Sequence, residues 1–184
     1  MDDVNEAVLA HPVAQALRRV QSVLERRPEV GLHDDAPASV RWNGGLGFVA
    51  SHANGCQVRT DMPAELGGSG QQVSPGWLLR AGLASCTATC VAMAAAAEGI
   101  ELELLEAHAS SRSDTRGLLG LAEDDGSAVP AGPRDVVLSL RIAARGVAPT
   151  RLRALVDGIW DRSPVPLALR QATPVALQVE VVGA

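Results

Sequence analysis

Cysteine thiols are the side chains of this 184-residue chain best suited to chemistry. Cys86 and Cys90 stand four residues apart in an uncharged, Ala-rich stretch, so both lie on one face if that stretch is helical. Cys56 stands apart from them, beside a glycine in a segment with the pattern of a strand. A free cysteine on an apolar stripe is most often a small buried hydrophobe, and it becomes a nucleophile only where its pKa is lowered and it is partly exposed. Residue type therefore favours packing for Cys90 and a structural role for Cys56, and leaves both interpretations open for Cys86.

The two neighbouring thiols are poorly placed for a disulfide or a metal. Across one helical turn their Cβ vectors run nearly parallel, so a bond between Cys86 and Cys90 would distort the helix. A metal site needs further ligands, and the sequence shows neither a second closely spaced cysteine pair nor a histidine pair beside them. We therefore predict no metal and no cofactor.

The elements around Cys86 follow an α+β order. Ser74 is a plausible N-cap and Pro75 a first-turn residue of a long helix that Gly99 ends. Alternating apolar residues predict strands on both sides of this helix, and helical spacing predicts two more helices behind it. The predicted strands lie near 39–42, 47–52, 57–60, 105–109, 136–142 and 175–181, and the later helices near 149–160 and 164–171. The Gly/Pro/Asp-rich stretch 114–134 predicts a long, mobile hairpin connection.

The N-terminal segment reads as a separate helical extension. Apolar residues at Val13, Leu17, Val20 and Leu24 predict a helix within about 3–27, which Pro28 ends. We place this extension at 1–32 and the main domain at 38–184, with a short linker between them. The helix is best interpreted as a packing or dimerisation element.

Composition excludes several function classes. A net charge of −5 and an aromatic content of 2% argue against nucleic-acid binding, which favours basic faces and stacking aromatics. The N-terminus lacks the pattern of a secretory signal. The uncharged run 81–97 is short and rich in small residues, so we expect a packed core helix and no membrane contact. An odd number of cysteines in such a chain predicts reduced thiols and a cytoplasmic location.

Three segments, in order, resemble the OsmC/organic hydroperoxide resistance family. Ser-Pro-Gly-Trp-Leu-Leu at 74–79, followed by Ala-Gly-Leu-Ala-Ser-Cys-Thr-Ala at 81–88, is similar to the motif that carries that family's peroxidatic cysteine. Pro-Ala-Glu-Leu-Gly-Gly at 63–68 resembles the Gly-rich approach to this helix, and the segment 163–169 resembles the Cys-Pro-Val segment of the second cysteine. The likeness spans about 38–182.

The resemblance implies both a fold and a chemistry. The fold would be an intertwined homodimer with two antiparallel sheets around two central helices, here with an extra N-terminal helix. In the family, the first thiolate attacks the peroxide O–O bond and becomes a sulfenic acid, which the second cysteine converts to a disulfide that a dithiol then reduces. An Arg and a Glu hold the first thiol as thiolate. Cys86 would be the peroxidatic residue of this chain.

The chain departs from that pattern at the second cysteine and at the Glu. Ser163 occupies the resolving position and cannot form a disulfide, and Gly76 replaces the Glu. Arg41 and Arg59 are the candidates for the thiolate-stabilising Arg, while Cys90 is an awkward substitute for the resolving thiol.

Two functions follow from these departures. One is a thiol-dependent redox protein that reduces organic hydroperoxides through Cys86, with an external thiol reductant and Ser163 as a polar neighbour. The other is a protein of the same fold, without peroxidase activity, that binds a small apolar ligand in a pocket at the dimer interface.

Overall fold

The computed structural model describes residues 12–183. Its first element is helix α1, Pro12–Arg26, which buries Ala14 and packs against the central helix of the domain. The part of the predicted N-terminal helix before Pro12 lies outside the described residues. A short 3-10 turn, Pro28–Gly31, follows α1, and the chain then runs without regular structure to the first strand.

The first sheet is an antiparallel meander of three four-residue strands. These are β1 (Ser39–Trp42), β2 (Phe48–Ser51) and β3 (Gln57–Thr60), in the spatial order β1-β2-β3. The β1–β2 turn passes through Gly44 and Gly45, whose φ values of 95° and 53° are accessible to glycine at little cost. The meander predicted from the alternation and the Asn-Gly-Gly turn is confirmed.

The central element is the 23-residue helix α2, Pro75–Ala97. The Ser74 hydroxyl accepts a hydrogen bond from the Trp77 amide at 3.2 Å, so the predicted N-cap is formed. At the other end Gly99 takes a φ of 70°, which stops the helix. By length and composition α2 could cross a membrane, but it packs against α1 and against the second sheet and its helices.

The second sheet and its helices form the main core around the C-terminal half of α2. Strands β4 (Leu102–Arg112) and β5 (Arg134–Ala144) pair antiparallel, and the short helix α3 (Thr115–Leu118) lies in their connection. Helices α4 (Pro149–Trp160) and α5 (Pro164–Arg170) follow. The innermost residues come from α2 and α4, and partly buried residues of β4 and β5 pack against them: Val91, Ala95, Leu155 and Ile159, with Leu105, Leu140 and Ile142.

The β4–β5 connection is more structured than its composition predicts. Arg116 of α3 forms ion pairs with Asp114 at 2.6 Å and with Glu123 at 2.9 Å. Val129 is buried, and Gly117 lies so close to Pro130 that an added Cβ would stand 2.5 Å from its carbonyl oxygen. Local contacts therefore order part of a stretch that its glycine and proline content alone marks as loop.

The final strand predicted at 175–181 is not formed within the single chain. The segment after Thr173 has no assigned strand, and Val175, Leu177, Val179 and Val181 are 74–93% exposed. A strand is stable only where a neighbouring edge receives its backbone hydrogen bonds, and among residues 12–183 no edge pairs with this segment. The strand predicted from the alternation is therefore wrong for the single chain, because alternation alone supplies no pairing edge. The two antiparallel sheets and the surrounding helices nevertheless confirm the α+β class.

The loop that leads into α2 is held together by Asp61. The Asp61 carboxylate accepts hydrogen bonds from the amides of Met62 and Ser69, both at 2.7 Å, and from the Ser69 hydroxyl. These hydrogen bonds lower the pKa of Asp61 below its usual value. The Ser69 hydroxyl contributes most, and the Met62 and Ser69 amides add to its effect. The Gly-rich segment is therefore a folded loop anchored on one carboxylate.

Gly68→Ala is expected to destabilise the protein. A Cβ at Gly68 would lie 1.9 Å from the carbonyl oxygen of Met62, so the backbone must shift. We expect a loss of about 1–3 kcal/mol in the free energy of unfolding, the usual cost of overpacking. Urea denaturation checks this. Gly158→Ala in α4 is the matched control, because a Cβ there meets no atom within 4 Å and alanine favours a helix. Equal stability of the two variants would contradict the prediction.

Candidate functional site

Cys86 lies near the middle of α2 and is partly exposed. Its neighbours Leu83 and Thr87 are buried, and the Thr87 hydroxyl donates to the carbonyl oxygen of Leu83 at 3.0 Å. Helix α2 therefore fixes the backbone of Cys86 through the packing of these neighbours, and Cys86 itself stays partly exposed. A half-exposed thiol on a rigid element is suited to nucleophilic chemistry.

Cys86, Cys90 and Ser163 form one polar cluster. Cys86 and Ser163 both lie near enough to the Cys90 thiol to affect its pKa. Ser163 is fully buried at the start of α5, where its hydroxyl also donates to the carbonyl oxygen of Ile159 at 3.2 Å. Burial raises the pKa of Cys90, the contact with Ser163 partly offsets this, and Cys86 adds to the increase. Cys90 is therefore protonated near neutral pH and is a poor nucleophile.

The role of Ser163 as a polar neighbour of the functional thiol stays a prediction. Ser163, at the position expected for a resolving cysteine, lies near Cys90, one turn along α2 from Cys86. Cys90 is thus near both Ser163 and Cys86. What the sequence did not predict is that Cys90 lies between them.

Arg41 and Arg59 are not brought to Cys86 within the single chain. They flank Val49 on the two neighbouring strands, on the same face of the first sheet, and both are exposed. Among residues 12–183, neither side chain makes a hydrogen bond or an ion pair with Cys86. Their predicted role as thiolate stabilisers stays a prediction that needs contact with a second chain.

The space left by Gly76 is approached by an arginine that sequence reasoning did not single out. A Cβ at Gly76 would lie 3.6 Å from Nη1 of Arg80, and this nitrogen donates to the Ser111 hydroxyl at 3.3 Å. Arg80 is the sole charged residue of α2. A single arginine in an otherwise uncharged helix could have indicated a functional residue from the sequence, because charged side chains are rarely buried without a partner.

No metal centre is apparent in the part of the chain that the structure describes. Residues 12–183 contain no group of three or more His, Cys, Asp or Glu side chains arranged to hold an ion. Cys56, the remaining thiol, is exposed in the turn before β3, where its amide donates to the Asn54 side chain at 3.0 Å. It lies outside the Cys86 cluster.

Fold and site together define an α+β protein with two antiparallel sheets and a partly exposed cysteine on a long helix that packs against the second sheet. The sequence profile of the OsmC-like protein family matches residues 68–178, more than half of the chain. The chain belongs to this family. Membership supports a redox or hydroperoxide-resistance-like role.

Solved structures share the fold. An organic hydroperoxide resistance protein OsmC, described as a predicted redox protein, from Legionella pneumophila is 22% identical, with a TM-score of 0.54 over 76% of this chain and 91% of its own. An OsmC-like protein from Mycoplasma pneumoniae is 19% identical, with a TM-score of 0.61 over 76% and 89%. An OsmC-like protein of unknown function from Vibrio cholerae is 13% identical, with a TM-score of 0.60 over 74% and 94%. No curated protein matches the chain. At these identities the likeness establishes the fold alone.

Proposed function

We propose that this protein reduces organic hydroperoxides through the single thiol of Cys86. The observation that carries the proposal is the partly exposed Cys86 thiol on α2, inside the segment matched by the family profile. The thiolate is the reactive form, and the rigid helix holds its sulfur in one place for attack on a peroxide.

The reaction balances with one thiol and an external reductant. The Cys86 thiolate attacks one peroxide oxygen, the O–O bond breaks, and the departing alkoxide takes a proton to become the alcohol. Cys86 is left as a sulfenic acid. A small thiol then condenses with it to give a mixed disulfide and water. A second thiol releases Cys86 and leaves as the oxidised disulfide.

The structure supports an external thiol over an internal one. Ser163 offers a hydroxyl, which cannot form a disulfide. Cys90 is held protonated, and side chains four residues apart on a helix have Cβ atoms about 5–6 Å apart, whereas a disulfide needs about 3.5–4.5 Å. The reducing cytoplasm is the compartment that supplies such thiols, so we place the protein there.

We further propose that the working unit is a homodimer. One face of the first sheet carries Val40, Trp42, Phe48 and Val58, which are 37–70% exposed in the single chain. Only 22% of the most apolar 18-residue stretch of α2 is buried. Together these two surfaces expose more apolar area than a monomeric domain usually leaves in water. In a homodimer, the same surfaces of a second copy can cover them.

This arrangement limits what Arg41 and Arg59 can do. They lie on the face of the first sheet opposite the apolar one, so a partner packed on the apolar face leaves them on the outside. We therefore rest the proposed chemistry on Cys86 and assign no step to either arginine.

The test is chemical trapping of the oxidised thiol. The reduced protein is treated briefly with one equivalent of cumene hydroperoxide in the presence of dimedone, which captures sulfenic acids, and is then mapped by peptide mass spectrometry. We expect rapid labelling at Cys86. If Cys86 stays a free thiol while a known peroxidase reacts completely under the same conditions, the peroxidase proposal fails.

A further inference from the structure

A cavity lies beside the first turns of α2, on the same face of the helix as Cys86 and about one turn before it. Its volume is about 370 Å³, within the usual range for small-molecule sites. It lies between the first turns of α2, the start of β5 and helix α5. Its walls are mostly apolar: Leu79, Leu83, Val136, Leu138, Trp160 and Leu169. No cysteine is among its lining residues, all of which fall within the described chain.

The charge of this cavity is opposite to that of the protein. The chain carries a net charge of −5, yet the charged residues that line the cavity are Arg80 and Arg170, and no acidic residue of the described chain lines it. A cavity with apolar walls and only cationic groups favours an apolar anion.

The two guanidinium groups are not equally available. Arg170 stacks over the Trp160 ring, 5.2 Å from its centre, and forms an ion pair with Asp161 at 2.9 Å. Arg80 donates to the neutral Ser111 hydroxyl and forms no ion pair with any carboxylate of residues 12–183. A half-buried guanidinium without a carboxylate has unused donors in a fork that fits a carboxylate.

We propose that this cavity binds a small apolar carboxylic acid, with the carboxylate held by Arg80 and Ser111 and the hydrocarbon part packed against the apolar walls. The cavity is built from one chain, unlike the interface pocket expected from the resemblance. The inference does not rest on the peroxidase chemistry, because no thiol takes part in it.

The test separates the charge of the ligand from its hydrocarbon part. Isothermal titration calorimetry is run with sodium octanoate, with the neutral octanamide and with sodium acetate. Octanoate is expected to bind more tightly than either of the others. Arg80→Gln is expected to weaken octanoate binding by about tenfold or more, as for loss of a charge-assisted hydrogen bond, and to leave octanamide unchanged. Arg153→Gln, an exposed arginine of α4 outside the cavity, is the matched control.

A second variant tests the apolar walls without touching the charge. Val136 is 43% exposed at the edge of the cavity, so Val136→Trp should fill the space and abolish octanoate binding while circular dichroism shows an intact fold. The measurements are repeated in Cys86→Ser, where binding should persist. Equal affinities for octanoate and octanamide, unchanged affinity in Arg80→Gln, or no binding of octanoate to the wild-type protein would each overturn the proposal.

Discussion

Cys86→Ser is expected to remove the peroxidase activity. In an assay that follows consumption of cumene hydroperoxide with dithiothreitol as the reductant, we expect the rate to fall by at least about 1,000-fold, because loss of an enzyme's nucleophile usually costs several orders of magnitude. A serine hydroxyl is nearly isosteric with the thiol but is not ionised near neutral pH, so the fold should be unaffected while the attack on the O–O bond is lost.

The other two cysteines provide matched controls for this variant. Cys56→Ser should keep full activity, since Cys56 is exposed in a turn outside the cluster. Cys90→Ala should still give dimedone labelling at Cys86, because Cys90 is held protonated and no disulfide with it is required. A Cys90→Ala protein that is labelled but cannot turn over would identify Cys90 as the resolving thiol and refute the external-thiol step. Activity that survives in Cys86→Ser would refute the assignment of the nucleophile.

The double substitution Leu177→Asp/Val179→Asp is expected to dissociate the homodimer. Both side chains are exposed in the single chain, at 88% and 74%, so two carboxylates there should not disturb the isolated fold. If this segment forms a strand against a second copy, the new charges become buried without partners. We expect the dimer dissociation constant to rise by at least about 100-fold, since burying even one unpaired charge costs several kcal/mol.

Sedimentation velocity measures this effect across protein concentrations. Gln178→Asp is the control, because it adds negative charge to the same segment at the residue between Leu177 and Val179, on the opposite side of an extended chain. It should leave the dimer intact. A wild-type protein that is monomeric at micromolar concentration would contradict the proposed homodimer. A double variant that associates as tightly as the wild type would exclude the C-terminal segment from the dimer interface.

Much of the secondary structure could be predicted because its causes are local. The capping Ser74, the Pro75 that follows it and the stop at Gly99 bracket α2 within two residues of its observed bounds. Strand β3 and helix α4 also fall where the alternation and the helical spacing placed them. In each case the signal is a periodicity or a backbone preference carried by adjacent residues.

The candidate site could be predicted only in part. The motif around Cys86 predicts a nucleophile and the segment beginning at Ser163 predicts a polar neighbour, and both roles stay predictions. The position of Cys90 between them depends on how α5 packs against α2, which neither segment encodes alone. Arg80 was missed for the same reason, because its partner Ser111 stands 31 residues away on the end of β4.

The sequence by itself determined the α+β order and the central helix with Cys86 on it. Only the tertiary structure decided that Cys90 stays a protonated neighbour, that Arg80 has no carboxylate partner among residues 12–183, and that the C-terminal segment finds no edge within its own chain. The physical reason is that helix and strand preferences are set by adjacent residues. Burial, ion pairing and strand pairing depend on residues far apart in the chain, and here also on surfaces that a single chain leaves uncovered.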